Sequence, residues 1–427
     1  MGGKNFFKIH TCATNKHCSD MIAKKYGIDV AIWLYQIMIG IRKKARDINN
    51  IEESIHDYID TQSILRLKQL SLYDIVHKYE EPVKHVIAIC SLIELVMERQ
   101  FFPLCVFDGK APKLKKRKMQ QRRDKRDNAS ISRDQVSEIY SDEYNKYNKR
   151  CVVLRENDCY DIKEILSACG LPYVQSNGEA ELQLAAIIRA CDNISGIITE
   201  DSDALIFGAN NIVKGFTRKN SNISIVNLQD ILSSSKHRIN NIRNVHSLLP
   251  IADFTEENLI DLTIINGTDY NDPIIDIGKE ELEQDNNINN KLNYELLPDF
   301  LFEIFAVCDM NIEKIVEHLK LNHNITVSDE YIITCKNVRE YYINADVIDP
   351  LTLDMSIKKP NYHLMYKLLV EKFCFKKIIV DRMYNNLIKM YYLNNNIEYG
   401  NDCYKSFRSY QMKFYNFKHN LRSRMTY

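Results

Sequence analysis

The most constraining feature of this chain is an alternation through its first 280 residues. Short apolar runs rich in Val, Ile and Phe are separated by longer stretches with helical spacing. Such alternation predicts an α/β fold, a parallel-sheet core flanked by helices. The runs are Ile28–Ile32, Leu104–Phe107, Leu171–Val174, Gly196–Thr199 and Ile212–Phe216. Between the third and fourth lies Glu179–Cys191, whose apolar residues recur every three and four positions, as a helix with one buried face requires. The resulting strand-helix-strand unit is expected to cross over right-handed.

Acidic residues fall where these runs end. Asp29 lies in the first run, and Asp108 follows Leu-Cys-Val-Phe and precedes Gly109. Asp201 and Asp203 follow Ile-Ile-Thr-Glu, and Glu179 and Glu181 stand at a loop-to-helix junction, where a helix N-terminus favours negative charge. In an open α/β sheet the carboxyl ends of strands converge on one crevice. Carboxylates gathered there repel one another unless cations neutralise them. Hard oxygen ligands without His or Cys select Mg²⁺ or Mn²⁺. Two such ions about 4 Å apart are a common device for in-line displacement at phosphorus.

The 57 Lys and Arg balance 57 Asp and Glu, so only the distribution of charge is informative. Lys110–Arg126 carries ten basic residues and one acid, with Lys115 and Arg122 seven apart and so on one helical face. A basic face beside an acidic crevice fits a nucleic-acid phosphodiester. The alternative is a solvated helical face with no joint purpose. The tail beyond Asp402 has six Lys or Arg and no acid, while Asp285–Asn293 is Asn-rich and predicts a surface loop. The longest apolar stretch, Val86–Met97, is broken by Ser91 and Glu94 and is too short to span a bilayer, so no membrane partner is expected. The start, Met-Gly-Gly-Lys-Asn, lacks a secretory pattern and an intracellular setting is expected. The scattered cysteines then read as buried thiols, and the spacing of His10, Cys12, His17 and Cys18 matches no usual zinc pattern.

Five blocks at these positions resemble the flap endonuclease and XPG family of structure-specific 5′ nucleases. In order they are Asp29–Gln36 (DVAIWLYQ), Val106–Leu114 (VFDGKAPKL) with Lys115 and Arg122, Gly178–Glu181 (GEAE), Ile198–Gly208 (ITEDSDALIFG) and Gly267–Tyr270 (GTDY). The last adds Asp269, which the strand pattern alone does not place. The resemblance implies that Asp29, Asp108, Glu179, Glu181, Asp201, Asp203 and Asp269 hold two Mg²⁺ ions, with Mn²⁺ able to substitute. It also implies that Lys115 and Arg122 act catalytically on the scissile phosphate. DNA contacts are expected at Gly2, Tyr35, Arg42, Lys113 and Lys116, with Tyr35 stacking on a base or serving as a core tyrosine.

The implied organisation is an N-terminal nuclease region with a basic gateway helix (1–126), and an internal nuclease region ending in a helix-turn-helix-like DNA-binding segment (127–280). A helical C-terminal region with a basic tail follows (281–427). The family's Gly-x-Gly-Pro-Lys turn corresponds to Asp276–Glu280, where one glycine and the proline are absent. Gln411, Phe414 and Phe417 are similar to part of a sliding-clamp-binding box, with Lys418 in place of its second aromatic.

The implied activity is Mg²⁺-dependent endonuclease and 5′-exonuclease hydrolysis of branched or flapped DNA in replication, repair or recombination, by a monomer in the nucleus. A ribonuclease on the same fold and a non-catalytic junction-binding protein are the alternatives. An α/β hydrolase is excluded by the lack of a Gly-x-Ser-x-Gly elbow, and there is no P-loop.

Overall fold

The computed structural model of the protein describes residues 13–44, 72–137, 141–274 and 297–395. In chain order, strand β1 (Thr14–His17) and β2 (Lys25–Asp29) lead into helix α1 (Val30–Lys44). Next come α2 (Leu72–Arg99), β3 (Phe102–Phe107), a 3₁₀ turn (Lys113–Lys115), α3 (Lys116–Asp134), α4 (Asp142–Arg150) and α5 (Glu156–Ala168). Then β4 (Tyr173–Gln175), α6 (Ala180–Ala190), β5 (Ile194–Ile198), α7 (Asp203–Ile206), β6 (Asn211–Lys214), β7 (Asn222–Asn227), α8 (Leu228–Val245) and α9 (Glu256–Asn266) follow. The C-terminal part is helical: α10 (Leu297–Val307), α11 (Ile312–His323), α12 (Asp329–Asn344), α13 (Tyr362–Met365) running into a π-helical turn (Tyr366–Lys372), and α14 (Lys377–Asn394).

The strands form one seven-stranded sheet in the order β1-β7-β6-β5-β2-β3-β4. Five are parallel, and β7 joins β6 antiparallel with β1 antiparallel beyond it. β3 explains the arrangement best: all six residues of FPLCVF are buried, as a central parallel strand covered on both faces requires. Its side chains alternate between layers. Leu104 and Val106 join a core with α6 to α12, whereas Cys105 and Phe107 join one with α1, α2, α5 and α14.

One expectation shifts, and the crossover unit spans more of the sheet than a minimal one. The run Ile28–Ile32 is strand only to Asp29, because Val30 begins α1 and the Asp29 Oδ1 accepts the Ile32 N–H at 3.2 Å. The unit β4-α6-β5 does not join neighbours: β4 is an edge strand, and β3 and β2 lie between it and β5.

After α12 the chain passes from one layer to the other. Lys358 N–H donates to Gly170 O and Asn361 N–H to Ala168 O, each at 2.8 Å, which delivers α13 and α14 to the second core. Among the described residues no helix is long and apolar enough to cross a membrane. Gly2, the Asp276–Glu280 turn, the Asn-rich segment and the Gln411–Phe417 box lie outside the described residues.

Candidate active site

Strand register brings the acids together. Asp29 pairs with Val106 and Ile28 with Ile198, so Asp29, Asp108 and Asp201 all stand within a few residues of the carboxyl ends of the adjacent strands β3, β2 and β5. Beyond β3 the backbone is so crowded that a Cβ on Gly109 would collide with Ser176 O, which only glycine avoids. Gly109 N–H donates to Gly178 O at 2.6 Å, and the Asp108 Oδ1 accepts the Ala180 N–H at 2.9 Å. These bonds tie Asp108, at the exposed mouth, to the start of α6, where Glu179 is the N-cap and Glu181 lies in the first turn.

Asp269 arrives by a different route. Thr255 caps α9, which ends at Gly267 with φ +86°, a left-handed geometry that suits glycine. Beyond it, Thr268 Oγ1 accepts the Tyr270 N–H at 3.0 Å and Asn271 Nδ2 donates to Ile264 O at 2.8 Å. That turn presents Asp269 to the crevice. Signals for it were the glycine and the GTDY string, not a strand.

Five of these carboxylates are buried: Asp29, Glu179, Asp201, Asp203 and Asp269 are each at most 9% exposed. Burial, reinforced by the charges of Asp108 and Asp201, pushes the Asp29 carboxyl up to about 7. Glu181 is raised well above the ordinary range, by burial and then by Asp29, Asp108 and Asp201, and it shares a hydrogen bond with Asp29. Asp203 is raised well above its usual value by burial and then by Asp201, whose own carboxyl is also pushed up chiefly by burial. The cluster is electrostatically costly without cations.

Two cations from the basic segment answer it. Lys115 Nζ donates to Glu179 Oε1 and lies 3.6 Å from Asp269 Oδ2. Burial works against its ammonium, yet Glu179, and then Asp269 and Glu181, outweigh this and the net shift is upward. Arg122 Nη2 donates to Asp269 Oδ2 at 2.5 Å. Lys115 belongs to the 3₁₀ turn and caps α3 from outside, so the two cations reach inward from a turn and a helix and not from one continuous helix. Their neighbour Arg117 pairs with Asp272, whereas Lys113 and Lys116 are exposed. Tyr35 is half-buried, and its hydroxyl accepts the Leu154 N–H at 3.3 Å. Arg42 lies in α1, but its side chain is outside the described set.

The residues fit a divalent metal by donor chemistry: all seven are hard carboxylates, and mutual repulsion favours cations among them. As the side chains stand, no three His, Cys, Asp or Glu groups among the described residues converge closely enough to hold an ion. Lys115 and Arg122 occupy Glu179 and Asp269 instead. Sequence reasoning missed two further groups at this point. Tyr270 and Tyr341 both donate their hydroxyls to Glu179 Oε2, Tyr341 at 3.2 Å.

A parallel sheet with acids at its strand ends and a basic segment across them defines a class of nuclease. The XPG N-terminal domain matches residues 1–129 and the XPG I-region residues 170–269, and the chain belongs to the flap endonuclease/XPG family of nucleases, whose members use divalent metal ions. Among its relatives is flap endonuclease 1 of Aedes aegypti, 26% identical over 263 residues, which are 61% of this chain and 58% of that protein. Flap endonuclease 1 of Glossina morsitans morsitans is 24% identical over 339 residues, 79% of this chain and 72% of that one. In three dimensions the catalytic core of Rad2, solved in complex with a DNA substrate, matches with a TM-score of 0.55 at 18% identity, covering 90% of this chain and 99% of that one. The flap endonuclease-1 of Methanococcus jannaschii matches at 0.51 with 21% identity, covering 91% and 98%. These structures share the fold.

Proposed function

We propose that the protein is a structure-specific endonuclease and 5′ exonuclease that hydrolyses phosphodiester bonds of branched or flapped DNA. Replication, repair or recombination generates such DNA, in the nucleus of a nucleated cell. The observation that carries this reading is a set of buried, mutually repelling carboxylates at the carboxyl end of a parallel sheet, with Lys115 and Arg122 paired to two of them, Glu179 and Asp269. Asp29, Asp108, Glu179, Glu181, Asp201, Asp203 and Asp269 would hold two Mg²⁺ or Mn²⁺ ions, which would supply a hydroxide nucleophile at neutral pH and positive charge for the phosphate oxygens.

The chain's own groups do the rest. Lys115 and Arg122 are paired with Glu179 and Asp269, and were those carboxylates engaged by cations, a phosphate entering over the crevice would be the natural partner for both. Each then meets the charge that grows on phosphorus oxygens during displacement. Lys113 and Lys116, exposed beside them, bind the backbone without reading sequence. Tyr35 offers its ring alone to a base, because its hydroxyl is engaged by Leu154.

The test is a panel of end-labelled flap, bubble, nicked and four-way DNA substrates with matched RNA strands, incubated with Mg²⁺ or with a chelator. Metal-dependent cutting near a DNA junction is expected. Cleavage of RNA only would assign a ribonuclease, and binding without cleavage under any metal would leave a junction-binding protein. The likeness of Gln411–Phe417 to part of a clamp-binding box makes that segment a further binding proposal, tested by pull-down with a sliding clamp.

A further inference from the structure

Glu179 is engaged at both of its oxygens. Lys115 takes Oε1, and Tyr270 and Tyr341 both donate to Oε2. Tyr270 adjoins Asp269 and comes with that turn. Tyr341 comes from α12, 162 positions away from Glu179 in sequence. α12 is anchored by Arg339, which bonds Asp261 Oδ1 at 2.8 Å and also Glu257, both on α9. Just past α12, Ile348 exchanges a matched pair of 2.8 Å hydrogen bonds with the buried Gln183 amide, one turn beyond Glu179 on α6. The helix that carries Tyr341 is thereby fastened both to the element that presents Asp269 and to the element that presents Glu179.

We propose that Tyr341 is a positioning residue that fixes the rotamer of Glu179 for metal binding, so that the C-terminal half of the chain sets the metal affinity of the crevice. This rests on the role given to Glu179 under the proposed function. A carboxylate held at one oxygen by hydroxyl donors can offer the other in a fixed direction, and partners of that kind are commonly worth about ten- to a hundredfold in metal affinity.

The structure contains its own control. Tyr342 is the neighbouring ring of the same aromatic cluster, 4.9 Å from Phe207 and 5.4 Å from Tyr270 between centroids. It is 4% exposed, yet its hydroxyl meets no hydrogen-bond partner among the described residues. Tyr341→Phe removes a bond to Glu179 while keeping a ring; Tyr342→Phe removes a hydroxyl that makes no such bond.

The experiment uses the full chain without nucleic acid, titrated with Mn²⁺ and read by calorimetry or by the electron paramagnetic resonance of unbound Mn²⁺. Thermal melting in chelator verifies folding. Tyr341→Phe is expected to weaken Mn²⁺ binding by about tenfold or more, and to raise the Mg²⁺ concentration needed for half-maximal single-turnover cleavage in parallel. Tyr342→Phe is expected to bind Mn²⁺ as the wild type does. The proposal is overturned if Tyr341→Phe binds within about twofold of wild type, if both variants weaken binding equally, or if the wild type takes up no Mn²⁺. A wild type that binds Mn²⁺ yet cuts no nucleic acid sinks the proposed function alone, and the Mn²⁺ comparison still decides the role of Tyr341.

Discussion

Replacing Asp29 with asparagine separates the demands of folding from those of the site. Asp29 is 2% exposed, and its carboxyl is pushed from 3.8 to about 7 by burial and by Asp108 and Asp201. A carboxyl raised in this way contributes nothing unfavourable below its unfolded pKa, and its cost grows as pH rises until the folded pKa is passed. At about 1.4 kcal/mol per unit, the metal-free folded chain at pH 8 carries a penalty of about 4 kcal/mol for this ionisation. About 3 kcal/mol of that accumulates between pH 5 and pH 8. Because Asp29 and Glu181 share a hydrogen bond, the penalty belongs to the pair. In Asp29→Asn the side-chain amide would still accept the Ile32 N–H, could donate to Glu181, and never ionises.

The variant should therefore melt several degrees above wild type in chelator at pH 8, with the advantage shrinking toward pH 5. Adding Mg²⁺ should reverse the order, since only the wild type gains stability from bound ion. Scanning calorimetry over pH 5–8, with and without Mg²⁺, reads all of this. A variant that melts at or below wild type at pH 8 in chelator, or an advantage that does not vary with pH, would refute the crowding argument.

Other substitutions test the cations and the remaining acids. Lys115→Ala and Arg122→Ala should each lower the single-turnover cleavage rate by more than about tenfold at saturating enzyme, because each removes a charge placed where the phosphate becomes more negative. Lys115→Ala should also lower the metal-free melting temperature, since the half-buried Lys115 is the counter-ion of the buried Glu179. Lys113→Ala should mainly weaken DNA binding in a salt-dependent way, and equal small effects at all three positions would return the segment to an ordinary charged surface. Asp201→Ala or Asp108→Ala should cut cleavage by at least about 10³ while junction binding survives, because basic groups supply most of the affinity. Cleavage near the wild-type rate by either would show the crevice to be wrongly assigned.

The central strands were legible because a strand buried on both faces must be continuously apolar, as Leu104–Phe107 and Gly196–Ile198 are. The run Ile28–Ile32 misled at its end, since Val30, Trp33 and Leu34 are equally apolar as the buried face of α1, and a short run cannot distinguish the two. Leu171 and Pro172 precede β4 for a local reason. Proline has no N–H for a ladder, and its carbonyl instead accepts the Cys105 N–H. β1 and β7 left little signal at all: Thr-Asn-Lys-His and Asn-Ile-Ser-Ile-Val-Asn lie at or next to a solvent-facing edge and have no need of a continuous apolar run.

The acids were legible for the complementary reason that a strand end fixes a position in space, whereas in the basic segment spacing gave only a shared face for Lys115 and Arg122, and it was the family resemblance that singled them out. Ten cations occur between Lys110 and Arg126, and nothing in their spacing says which of them turns inward. The choice is made by the 3₁₀ turn, which swings Lys115 over Glu179 and leaves Lys113 and Lys116 to solvent. Tyr341 was beyond reach altogether, because a tyrosine on an amphipathic helix has the same pattern whether its hydroxyl meets water or a carboxylate. Its partner is determined by how α12 docks, through Arg339 to Asp261 and Ile348 to Gln183, and those contacts join residues 78 and 165 positions apart. Helix packing of that separation writes no local period into a sequence, so the part of the site that comes from the C-terminal half becomes visible only once the chain is folded.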